Sequence, residues 1–258
     1  MVEHLIELRT RLTRSVVAII IGFVLCWNFS QEIFDFLAAP LYGVLGPDAK
    51  LIYIALQEAF FTRLKISFLT GLFLALPFIF TQMWLFIAPG LYEHEQKTVL
   101  PFLMVTPILF FLGAALAYYF VFPLAFPFFL GFQTDNIEAM ISMKEYLNLS
   151  IKLIFAFGIT FELPVGLLLA IKAGILTTDG LVRKRKYNIV LAFVVAALLT
   201  PPDPFTQVFL AIPIMSMYEF SIFMGRRIER KRAKKEAEEE AALDADDNDE
   251  DAAEDSRS

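Results

Sequence analysis

The stretch FIAPGLYEHEQK, residues 86–97, sets Glu93, His94 and Glu95 against a single Lys97. Carboxylates this close together can accept the planar fork of a guanidinium through two parallel, charge-assisted hydrogen bonds. A second candidate lies in HLIELRTRL, residues 4–12, where Glu7 accompanies Arg9 and Arg11. Two readings of Glu7 stand side by side. It can pair with Arg11 four residues on, which stabilises a helix by about 0.3–0.5 kcal/mol. Alternatively, it joins the acidic stretch in one anionic site. The acidic stretch itself can equally be a solvated loop balanced by Lys97. His4 and His94 are the two histidines, and neither has a partner at metal-ligand spacing, so no metal centre is expected.

Glu162, in FGITFELPV, lies amid apolar residues. An ionised carboxylate at the middle of a bilayer is costly, so Glu162 is either neutralised by a proton or faces a water-filled concavity. Thr200, Asp203 and Gln207 bracket the segment TPPDP. They fit turn chemistry, with Asp203 capping the helix that follows. They also fit a polar ledge that hydrogen-bonds a partner's transmembrane helix. No nucleophile elbow, zinc-protease helix or phosphate-binding glycine loop occurs, so neither an enzyme nor a cofactor is expected.

The elements that carry these residues belong in a membrane. The chain is 57% hydrophobic and 15% aromatic, with a mean hydropathy of +0.61. Six apolar stretches, about 15–29, 64–87, 100–124, 150–171, 188–202 and 205–224, predict an all-α integral membrane protein of six transmembrane helices. The fifth is short. Its 13 or so residues reach roughly 20 Å, against about 30 Å for the bilayer core, so it should form a short hairpin with the sixth. With the N-terminus inside, 17 of the 22 Lys and Arg are cytoplasmic, which predicts N-in, C-in topology and makes the acidic 86–97 stretch an exception on the same side. The long outward connections, 30–63 and 125–149, are apolar enough for helices at the interface. Cys26 has no partner for a disulfide. We read residues 1–14 as an amphipathic cytoplasmic segment and 15–225 as the membrane domain. Residues 226–258 read as a basic, then acidic, disordered tail. An ion-coupled secondary transporter using Glu162 is the alternative function, although no internal repeat supports it.

Four motifs, HLIELRTRL, FIAPGLYEHE, FGITFELPV and LLTPPDPFTQ, occur in an order that resembles the TatC family, the signal-receptor subunit of the Sec-independent, twin-arginine protein translocase. The resemblance covers residues from about 4 to 225. It implies a glove-like, concave bundle in the inner membrane of a bacterium. It also implies a receptor for folded proteins whose signal peptides carry consecutive arginines, with export driven by the proton-motive force. On that resemblance Glu7 and Glu95 bind the arginine pair, and Phe86 and Arg9 line the same patch. Pro40 is the proline of the first outward loop, Asp203 lies in the second outward turn, and Glu162 is the buried polar position of the concave side. Thr200 and Gln207 contact TatB-like and TatA-like single-span subunits. Self-association in a multimeric receptor is implied, and no nucleic acid.

Overall fold

The computed structural model describes residues 2–46, 50–87, 93–133, 140–199 and 204–255. Nine α-helices follow one another among these residues. They are α1 (Val2–Asn28), α2 (Ser30–Leu45), α3 (Glu58–Ile87), α4 (Glu93–Leu116), α5 (Phe122–Leu130), α6 (Met143–Lys172), α7 (Thr178–Arg183), α8 (Arg185–Leu199) and α9 (Pro204–Asp255). A π-helical turn, Ala117–Val121, joins α4 to α5. The wider turn comes just before Pro123, whose ring would collide with the Tyr119 carbonyl in a regular α-helix.

Five stretches are long and apolar enough to cross a membrane: Leu5–Asn28, Glu58–Phe86, Met104–Leu130, Met143–Lys172 and Gln207–Lys234. The expected fifth span corresponds to α8, which has 15 residues. At about 1.5 Å per residue it falls short of a full crossing. The backbone of α9 stays helical to Asp255, where the acidic composition predicts no order. Ala, Glu, Lys and Arg are strong helix formers, and Lys234 pairs with Glu238 at 3.5 Å, one turn on.

Glycines set how closely the spans approach. A Cβ on Gly22 of α1 would lie 2.6 Å from the Gly71 carbonyl oxygen of α3, and one on Gly71 would lie 2.4 Å from the Phe23 nitrogen. Gly113 of α4 meets the Phe157 carbonyl of α6 in the same way, at 2.4 Å. Backbones in lipid come this near only where no side chain intervenes. Elsewhere α1 turns apolar side chains outward, among them Val16, Ile20 and Val24, as a lipid-facing helix should.

One end of the bundle is capped. Phe34, Leu37 and Leu41 of α2 pack against Phe122 and Phe126 of α5 and against Tyr146, Leu147 and Leu153 of α6. Pro40 lies inside α2 and deprives the Phe36 carbonyl of its helical donor. The Tyr118 hydroxyl donates to that carbonyl at 2.6 Å, and the Tyr146 hydroxyl to the neighbouring Leu37 carbonyl at 2.7 Å. Pro40 thus works as a docking point for two tyrosines. Glu58 fastens the cap from the other side. Its Oε2 accepts from the Ile54 and Ala55 N–H groups at 3.0 and 3.3 Å, and its Oε1 from the Ser142 hydroxyl at 2.6 Å and the Lys144 N–H at 3.1 Å. A short parallel bridge between Ile52 and Ser142 lies alongside, with the Met143 N–H donating to the Ile52 carbonyl at 2.8 Å.

Glu58→Ala removes the shared acceptor of four part-buried donors on both sides of the cap. The expected outcome is a clear fall in thermal stability of the detergent-solubilised protein, with faster proteolysis in the 46–57 connection. Unchanged melting would show that the cap stands without this carboxylate.

Candidate functional site

Opposite the cap, the first turns of α1 meet the last turns of α3. Arg11 Nη2 donates to Glu7 Oε1 at 3.3 Å, and Arg11 Nη1 donates to Gln82 Oε1 at 3.4 Å. The i,i+4 pairing weighed from the sequence is therefore present, with a third member from α3. The side chains of Arg11 and Glu7 are 22% and 30% exposed, so water reaches the pair. A wetted pair of this kind contributes about 1 kcal/mol at most. Gln82 is buried and was not singled out from the sequence. Its signal was a lone amide in the apolar run FIFTQMWLFI.

Phe86 stands one helical turn beyond Gln82, on the same face of α3, and is half-buried. Arg9 is exposed, and its carbonyl accepts from the Thr13 hydroxyl at 2.7 Å. Glu95 belongs to the first turn of α4, and its side chain lies outside the described residues. Only residues 88–92 separate the end of α3 from the start of α4, so Glu93 and Glu95 begin their helix near the end that carries Gln82 and Phe86. Acid in a first turn also suits the positive end of the helix dipole. The packing thus gathers Glu7, Arg11 and Gln82, with Phe86 one turn further along α3, while Arg9 is exposed.

Glu162 sits about two-thirds of the way along α6 and is half-buried. The Thr106 side chain and the Phe110 main chain of α4 are its hydrogen-bonding neighbours, yet its Oε1 is enclosed without a partner. Gln207 Nε2 donates to the Phe193 carbonyl at 3.0 Å and so ties α9 to α8. Thr200 and Asp203 lie outside the described residues. At its other end the hairpin is tied by polar contacts. Arg185 donates to Glu219 at 2.5 Å, and Glu229 of α9 accepts from the Thr178 N–H at 2.8 Å and from the Thr178 hydroxyl. The Tyr218 hydroxyl adds a bond to the Leu181 carbonyl at 2.8 Å.

Residues 3–213 match the family described as Sec-independent protein translocase protein (TatC). The chain belongs to the TatC family. It is similar to the TatC protein of Magnetococcus marinus, with 73% identity over 96% of this chain and 92% of that relative. It is also similar to the TatC protein of Escherichia coli K12, with 40% identity over 88% of each. A crystal structure of a twin-arginine translocase receptor, TatC, superposes with a TM-score of 0.76 at 42% identity, covering 88% of this chain and 99% of that one.

Membership of the TatC family does not favour the ion-coupled transporter reading of Glu162. It leaves the α7–α9 lock as structure that holds the short α8 in place. Removing Glu229 leaves the Thr178 N–H and hydroxyl without their acceptor, a loss of about 1–3 kcal/mol. For Glu229→Ala, hydrogen exchange should therefore quicken in α7 and in the start of α8, with the cap unchanged. Unaltered exchange in α7 would contradict the lock.

Proposed function

We propose that this chain is the signal receptor and core subunit of a twin-arginine translocase in a bacterial inner membrane. It binds twin-arginine signal peptides of folded precursors, and export draws on the proton-motive force. In this reading α8 is a sixth span in a locally thinned bilayer, and both termini are cytoplasmic, following the Lys and Arg bias. TatB-like and TatA-like subunits and further copies of the chain complete the complex. Glu162, Thr200 and Gln207 offer the polar groups for partner helices, and Pro40 and Asp203 belong to the outward loops.

The observation that carries the reading is the guanidinium already seated on Glu7. Arg11 places one guanidinium N–H on Glu7 and another on Gln82, which supports a role for this carboxylate as an arginine acceptor, and the wetted pair is weak enough to open for a guest. Glu7 and Glu95 are assigned to the arginine pair, with Phe86 and the aliphatic part of Arg9 shielding them. Arginine is preferred over lysine because its rigid fork matches a carboxylate at two points, whereas an ammonium offers one point charge. This answers why an acidic connection sits on the side where positive charge is the rule.

If Glu95 is partly shielded, losing it costs about 2–5 kcal/mol of binding, or at least about thirtyfold in affinity. Glu95→Ala should reduce binding of a twin-arginine signal peptide by that factor while the protein still inserts and folds. Binding at wild-type affinity would remove Glu95 from the site.

A further inference from the structure

The capped end holds a cavity of about 310 Å³ whose walls combine apolar side chains, such as Phe61 and Leu147, with the polar groups of Gln57, Glu58, Thr62, Lys65, Lys144 and Asn148. Its hydrogen-bonding capacity is unbalanced. Both Glu58 oxygens are already occupied, each by two donors from the cap. Asn148 Oδ1 already accepts from the Lys65 ammonium at 2.5 Å. The donors are in surplus. Lys65 has two further N–H groups. The Lys144 ammonium, the Gln57 amide and the Thr62 hydroxyl make no hydrogen bond to any described residue. A cavity with two ammonium groups, spare neutral donors and no spare carboxylate oxygen is suited to an anion with several acceptor oxygens.

Its depth says where that anion comes from. Lys144 lies in the first turn of α6 and Lys65 about two turns into α3, near the same end of two membrane-spanning helices. The adjoining connection exposes Ile54 and Leu56 at 82% and 90%, side chains that water would not solvate but the edge of the acyl layer would. The cavity is therefore level with lipid headgroups. We propose that it binds the phosphate group of a phospholipid, with Lys65 and Lys144 as counter-charges and Thr62 and Gln57 as neutral donors. A lipid held there would join α3 to α6 at the cap.

The test is native mass spectrometry of the full-length protein in detergent, titrated with phosphatidylglycerol and, separately, with diacylglycerol, which lacks the phosphate. Wild type should hold one phosphatidylglycerol and no diacylglycerol. Lys65→Gln/Lys144→Gln should bind it about tenfold or more weakly. Lys152→Gln, an exposed lysine of α6 outside the cavity, should bind as wild type does. Should the double variant fail to fold, Lys144→Gln alone removes an exposed ammonium bonded to no described residue and should still weaken binding severalfold. Equal lipid retention in the lysine variants would overturn the site, as would an equal loss in Lys152→Gln. Displacement of the lipid by inorganic phosphate at equal concentration would overturn the lipid assignment in favour of a free anion.

Discussion

A backbone carbonyl that loses its helical partner within a bilayer has no water to turn to, and this constraint organises the molecule. Pro40 inside α2 frees the Phe36 carbonyl, which the Tyr118 hydroxyl of the π turn reaches, while the Tyr146 hydroxyl of α6 bonds the neighbouring Leu37 carbonyl. The same demand explains Glu58, which gathers main-chain donors from both sides of the cap. It also explains Gln207, spent on a carbonyl of the neighbouring helix. The cap in turn fixes the start of α3. Because α3 is one helix from Glu58 to Ile87, its far end presents Gln82 and Phe86 in a set register beside Glu7.

The two ends of the bundle use charge differently. At the cap, Glu58 is buried and fully satisfied, so its bonds hold structure together. At the other end, Glu7 is wetted and paired through a single contact with its own chain, and such a pair exchanges partners at little cost. A receptor for arginine needs the second arrangement. A permanent, dry ion pair would be too costly to open for each passenger. In the proposed reading, discrimination depends on how far the incoming guanidinium is shielded, a task assigned to Phe86.

Much of this was legible in the residues. Apolar run lengths located the five long apolar helices, and the 13 or so residues before TPPDP foretold a helix too short for the bilayer, as α8 is. The i,i+4 spacing of Glu7 and Arg11 foretold their pair. Other features depend on contacts far apart in sequence. Glu58 carries no local signal of its role, since its donors at Ser142 and Lys144 lie more than eighty residues away. Gln82 gained meaning only when α1 packed on α3 through Gly22 and Gly71. The tail went the other way. Composition pointed to disorder, while local helix propensity carries the backbone of α9 to Asp255.

The central claim is that the anionic end reads arginine as a fork and not merely as positive charge. The most direct measurement is binding of a fluorescent signal peptide to the protein in nanodiscs, comparing Arg-Arg with Lys-Lys at low and high salt. Tight, salt-sensitive binding of Arg-Arg and much weaker binding of Lys-Lys at both concentrations is the expected result. Equal affinity for the two peptides would contradict it and reduce the site to a plain electrostatic patch.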